Sequence, residues 1–214
     1  MKKLIILLVC LFSYDCFAVQ ITKGGSRTSN VTCTMPKNKF VRMANHDIGI
    51  FLRSYKPRTI TKHLKEIRLC GSLTLYGQDF ATGTYDVEKK IIYLQVYGRS
   101  DVEYVLHHEL SSIILKMSKN RWEIQGKFRN FSKKPYKPMS TWGDISKINW
   151  MAEKHRYLKN GFIVPYAQTH VENDLNMIAA FYKTSYLKSR MKRATKYPLI
   201  AKKYNIVKKM YKSL

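Results

Sequence analysis

Two adjacent histidines followed by a glutamate form the segment of this sequence with the clearest chemical potential. The run HHELSS occupies residues 107–112 within an otherwise apolar stretch. On an α-helix His108 lies one turn before Ser112, and Glu109 lies about 100° around the axis from His108. A hydrolytic zinc helix carries His ligands four residues apart and, after the first, a Glu that deprotonates the metal-bound water. Ser112 stands at the second ligand position, so this helix is one ligand short.

Three sources of the missing ligand remain open. His107 is adjacent, although neighbouring helical side chains point about 100° apart. Glu103 and His107 are four residues apart and can face each other as a second ligand pair. Further along the chain, Glu172 and Asp174 place two carboxylates near the start of another predicted helix.

The polar triplet also needs partners for a physical reason. Residues 107–109 interrupt a helical face that is otherwise apolar. Burying charged or polar groups without partners costs several kcal/mol, on the order of a whole protein's stability margin. A metal ion, or the distant carboxylates at 172 and 174, would satisfy these groups.

Apolar periodicity predicts the elements that position these residues. The spacing i, i+3, i+4, i+7 predicts an active-site helix over about 101–118 and an acidic helix over about 171–187. A basic amphipathic helix is predicted after Pro198. Strands are predicted within 64–76 and 91–97, and we expect the second to be an edge with which an extended peptide can pair.

The first 18 residues have the features of a secretory signal peptide. Two lysines precede an apolar run, and Ala18 ends an approximate small-residue cleavage site. The apolar run is too short to span a bilayer. We therefore expect an exported protein, periplasmic or extracellular, with a flexible lead-in over 19–38 and one folded domain over 39–214.

The cysteines fit the same expectation. Two of the four lie in the predicted signal peptide, which leaves Cys33 and Cys70. An even pair in an exported protein predicts one disulfide. Two separate buried thiols remain an alternative, because spacing alone does not determine pairing.

The charge is strongly positive. The chain has 39 Lys and Arg against 14 Asp and Glu, a formal net charge of +25. Residues 182–214 contain 11 of these cations and no acid. Such a surface favours an anionic envelope polymer or lipid surface as partner, and export argues against nucleic acid. The oligomeric state has no signal in the sequence.

The order of the motifs resembles that of the putative zinc-binding metallopeptidases, exported bacterial proteins related to gluzincin-type peptidases. The resemblance covers about residues 60–190 and rests on GSLTLYG (71–77), GTYD (83–86), IIYL (91–94), HHELSS (107–112) and ENDLN (172–176). It implies an α+β, zincin-like single domain with a small sheet, an active-site helix and a helical C-terminal part. It also implies zinc as cofactor, His108 as ligand, Glu172 or Asp174 as acidic ligand, and Glu109 as general base.

Two functions follow as expectations. The first, which we prefer, is a zinc-dependent metallopeptidase that hydrolyses peptide or protein substrates, with Ser112 as a sign of a degenerate metal site. The second is a non-catalytic cationic protein of the cell envelope that binds an anionic polymer or membrane surface. Stoichiometric zinc would distinguish the first from the second.

Overall fold

The structure, a computed structural model, describes residues 19–27, 30–77, 82–97, 101–137, 152 and 154–214. The predicted signal peptide and residues 28–29, 78–81, 98–100, 138–151 and 153 lie outside the described residues. Contacts divide the chain into two compact units, one ending at Ile114 and the other beginning at Leu115.

The first unit contains two sheets. Their strands are β1 (Gln20–Lys23), β2 (Ser26–Arg27), β3 (Val31–Cys33), β4 (Glu66–Cys70), β5 (Leu73–Leu75), β6 (Gly83–Asp86) and β7 (Ile91–Gln95). One sheet has the order β1-β4-β7-β6, in which β1, β4 and β7 are parallel and β6 is antiparallel to β7. The other is antiparallel, in the order β2-β3-β5.

The expectation that residues 91–97 form a sheet edge is wrong. Strand β7 pairs with β4 on one side and with β6 on the other. Four consecutive residues of this strand, Ile91–Leu94, are buried. A continuous apolar run of this kind is typical of a strand covered on both faces. Among the described strands, the edges of this sheet are β1 and β6.

Three short strands lie where the Gly-, Ser-, Thr- and Asn-rich composition predicted a flexible lead-in. Strand β1 pairs in parallel with β4, with Gln20 opposite Glu66. Strand β3 pairs with β5, with Cys33 opposite Leu73. The partners of both strands come from much later in the chain, and local composition does not reveal such pairing.

A disulfide joins the two sheets. Cys33 of β3 and Cys70 of β4 are bonded, with an S–S distance of 2.09 Å. Both are buried in one apolar cluster with Leu73, Ile91 and Tyr93. The covalent link therefore lies inside the packed interior of the first unit.

The described residues also contain eight α-helices. They are α1 (Asn38–Arg53), α2 (Pro57–His63), α3 (Val102–Met117), α4 (Arg121–Asn130), α5 (His155–Lys159), α6 (Val171–Lys183), α7 (Lys188–Ala194) and α8 (Pro198–Lys212). In the second unit α6 packs against α4, α7 and α8. Helix α6 ends four residues before the predicted 187, because Thr184 adopts extended backbone angles. Among the described residues, no helix has the length and apolar character to cross a membrane.

Candidate active site

Helix α3 buries its polar triplet almost completely. Every residue from 102 to 115 is buried. His107 is 0% exposed, and His108 and Glu109 are 9% and 8% exposed. The sequence-predicted His and Glu therefore lie inside the protein, where each must be satisfied by a neighbour.

His107 faces α1. Its Nδ1 lies 2.8 Å from the Tyr55 hydroxyl, and its ring centroid is 5.0 Å from that of Phe51. Its Nε2 lies 3.7 Å from the carboxylate of Glu103. The Glu103–His107 pair that the spacing allowed is thus present, as a buried contact inside the first unit.

Glu109 lies against the edge strand β6. A Cβ placed on Gly83 would be 3.1 Å from Glu109 Cγ, 3.2 Å from its Oε1 and 2.5 Å from Val105 Cγ1. Any larger residue at position 83 must displace the helix or the carboxylate. Glycine therefore lets the strand backbone approach the Glu109 side chain directly.

Strand β6 lies at one end of the four-stranded sheet, and its residues are half-buried. In the described residues no further strand pairs with β6 beyond β7. An unpaired strand edge presents backbone N–H and C=O groups to which an extended peptide can add as a further strand. The open edge of β6 is one strand away from the edge that the sequence predicted, and Gly83 on this strand approaches Glu109.

The second ligand position of the helix is occupied by a buried hydroxyl. Ser112 is 1% exposed. Its neighbour Ser111 is fully buried and donates a 2.7 Å hydrogen bond to the backbone carbonyl of His108. Neither serine offers the imidazole, thiolate or carboxylate that zinc prefers.

Glu172 lies in the second unit, at the start of α6. The ring of His170 accepts a 3.2 Å hydrogen bond from the Glu172 backbone N–H and so caps this helix. The Glu172 carboxylate lies 2.9 Å from the ammonium of Lys116. The carboxylate that the resemblance assigned to a metal is thus paired with a lysine from the end of α3.

Asp174 is paired with another lysine. Its Oδ2 accepts hydrogen bonds from Lys203 Nζ at 2.5 Å and from the Tyr136 hydroxyl at 2.7 Å. Both Asp174 and Lys203 are 0% exposed. Burial raises the pKa of Asp174 to about 6, although Lys203 opposes the shift. Sequence reasoning missed Lys203, which lies in a stretch interpreted as a cationic surface.

The available donors do not fit a three-ligand catalytic zinc site. Such a site takes three His, Cys or carboxylate ligands and leaves a fourth position for water. Ser112 supplies a neutral hydroxyl, and Glu172 and Asp174 each already hold an ammonium. In the part of the chain that the structure describes, no three His, Cys, Asp or Glu side chains are grouped to hold a metal ion.

Comparison with known proteins gives one likeness. No family model matches the sequence, and no curated protein matches it. The crystal structure of a putative zinc-binding metallo-peptidase from Bacteroides caccae is similar, with a TM-score of 0.56 and 16% sequence identity. The likeness covers 92% of this chain and 80% of that one. At this identity the likeness shows the fold alone, and the chain therefore has a metallopeptidase-like α+β fold.

Proposed function

We propose that this protein is an exported peptide-binding protein with a metallopeptidase-like fold, in which the peptide-recognition edge is retained and the zinc reaction is not. The observation that carries the proposal is the close approach of Gly83, on the open edge of β6, to Glu109. The fold likeness supports the peptidase-like part. The incomplete ligand set, with Ser112 in place of histidine, supports the loss of the reaction.

Backbone pairing supplies the affinity in this proposal. An extended peptide adds to β6 and satisfies the N–H and C=O groups on its outer side. Glu109 lies beside that strand and accepts a hydrogen bond from the peptide or attracts a cationic side chain. Because its helix lacks the second histidine, Glu109 is assigned to binding rather than to proton transfer.

The test measures binding and cleavage of the same peptides. Fluorescently labelled, unstructured peptides are titrated with the mature protein, and anisotropy gives the affinity. Gly83→Ala should weaken binding at least tenfold, because the added methyl must displace Val105 or Glu109. Gly126→Ala is the matched control, since a Cβ there meets nothing within 4 Å.

Cleavage of these peptides by the wild-type protein would contradict the proposal. The wild-type protein should leave them intact in the presence of zinc. Zinc-dependent hydrolysis that Glu109→Gln abolishes would instead assign the chain to the active peptidases. Equal affinity of the Gly83→Ala and Gly126→Ala variants would remove β6 as the binding edge.

A second function is favoured by the surface of the C-terminal helices. The exposed cations from residue 188 onward are Lys188, Lys192, Arg193, Lys196, Lys202, Lys208, Lys209 and Lys212. We propose that these side chains also attract an anionic polymer of the cell envelope. Binding to polyglutamate should weaken steeply with added salt, and a variant with Lys208, Lys209 and Lys212 changed to Gln should bind less tightly. Salt-independent binding would contradict it.

A further inference from the structure

We propose that Lys116 is an internal substitute for a metal ion: its ammonium binds Glu172 and thereby excludes divalent cations from that carboxylate. The inference rests on the proposed function, which assigns no working zinc site to this chain. The inference adds that Lys116 supplies the positive charge that a metal ion would otherwise provide at Glu172.

The first argument for this role of Lys116 is its position on α3. His108, Ser112 and Lys116 follow one another at intervals of four residues, so they share one face of the helix. Side chains on a helix lean toward its N-terminus, so Lys116 covers the turn that begins near Ser112. The face that loses a ligand at Ser112 therefore gains a cation one turn later.

The second argument is that the Glu172 carboxylate is nearly buried. Its side chain is 11% exposed, and that of Lys116 is 37% exposed. A carboxylate so nearly buried requires a positive partner or strong hydrogen bonds. The Lys116 ammonium, 2.9 Å away, supplies that charge.

Exclusion of metal follows from the same geometry. A divalent cation that bound Glu172 would either displace the ammonium or lie next to it. Like charges a few ångströms apart repel strongly at the effective dielectric of a protein surface. Lys116 thus satisfies Glu172 and opposes zinc at that carboxylate.

The neighbouring acid on α6, Asp174, is also paired with a lysine of the protein. Asp174, two residues after Glu172, is held by the buried ammonium of Lys203. Both carboxylates in the first turn of α6 therefore have a lysine partner.

Zinc affinity of engineered variants tests the proposal. Lys116→Met removes the ammonium that competes with a cation at Glu172. Titration against a chromophoric zinc chelator should show at least tenfold tighter binding for Lys116→Met than for the wild-type protein. The wild-type protein should show no stoichiometric zinc.

A charge-matched control separates Lys116 from the general effect of removing a cation. Lys127→Met loses one lysine from the exposed pair that Lys127 forms with Glu123, so its net charge equals that of Lys116→Met. Its zinc affinity should equal that of the wild-type protein. Equal affinity of Lys116→Met and Lys127→Met, or stoichiometric wild-type zinc that Glu172→Gln removes, would overturn the proposal.

A second measurement reports zinc binding through the thermal stability of the protein. Added zinc should raise the Tm of Lys116→Met, because the uncovered carboxylate can accept it, and should leave wild type and Lys116→Met/Glu172→Gln unchanged. No shift in Lys116→Met would refute the substitution of metal by lysine. Neither measurement uses a peptide, so a failure of peptide binding and a failure of this inference are distinguishable.

Discussion

Two carboxylates in the first turn of α6 each bind a lysine, but in very different surroundings. The Asp174–Lys203 pair is fully buried, with both side chains 0% exposed. In the Glu172–Lys116 pair the carboxylate is 11% exposed and the lysine 37% exposed. The Asp174–Lys203 pair therefore lies in the protein interior, whereas the Glu172–Lys116 pair lies close to solvent.

The hydrogen bonds explain why the buried pair is fixed. Lys203 donates to Asp174, to the Ser132 hydroxyl at 2.7 Å and to the Gly161 carbonyl at 2.7 Å. All three donors of the ammonium are used. Gly161 has a positive φ of 89°, and a Cβ there would lie 2.4 Å from the Phe131 carbonyl, so only glycine suits this turn.

Breaking the buried pair should have the largest effect. Lys203→Met should lower the free energy of unfolding by about 3–5 kcal/mol, because Asp174 is left as an uncompensated buried charge. Urea denaturation measures the change. The double variant Asp174→Asn/Lys203→Met should recover much of the loss. A loss below about 1 kcal/mol in the single variant would show that the pair is dispensable.

The pH dependence of the buried pair should have the next largest effect. The pKa of Asp174 is raised to about 6, so between its ordinary value of 3.8 and 6 the folded state holds a proton that the unfolded state releases. The stabilisation that this proton on Asp174 gives the folded state is therefore fully present below about pH 4, and it is lost as the pH rises through about 6. The stability difference between wild type and Asp174→Asn should change by up to about 3 kcal/mol between pH 4 and pH 7. A difference that does not change with pH would contradict this assignment.

Removing the more exposed cation should cost less. Lys116→Met should lower the free energy of unfolding by about 1 kcal/mol, because Glu172 retains some access to water and the field of the helix N-terminus. The loss should shrink in high salt, which screens exposed charges. A loss as large as that of Lys203→Met would remove the distinction between the two pairs.

The smallest effect is expected at a fully surface pair. Glu123 and Lys127 have side chains 60% and 52% exposed, one turn apart on α4. Lys127→Met should change the unfolding free energy by no more than about 0.5 kcal/mol. The Tm changes of Lys127→Met and Lys116→Met, measured side by side, test whether partial burial of the carboxylate makes the Glu172–Lys116 pair the stronger one. Equal changes in Tm would show that burial has no such effect.

The sequence predicted the elements that depend on local periodicity. Helix α3 spans 102–117 against a predicted 101–118, because its apolar residues repeat along the whole segment. Helix α6 begins at the predicted position 171, but its end depends on the backbone of Thr184 rather than on hydrophobic spacing. Periodicity therefore located the helices that carry His108, Glu109 and Glu172.

Contacts between distant segments could not be predicted in this way. Asp174 and Lys203 are 29 residues apart, and the contact of Gly83 with Glu109 depends on which strand lies at the sheet edge. One signal was available for Lys203. It falls on the same stripe of α8 as the buried Ile200, Val207 and Met210, and a lysine within an apolar stripe indicates a buried acid elsewhere.

The Cys33–Cys70 bond has a consequence for a chain that has been nicked. The bonded residues are separated by 37 positions, an interval that contains α1 and α2. A trypsin-like cut after the exposed Arg58 would leave both fragments covalently joined. Such a sample should run as one band on a gel without reductant and as two bands with it, so the clipped protein keeps its first helix tethered to the sheets.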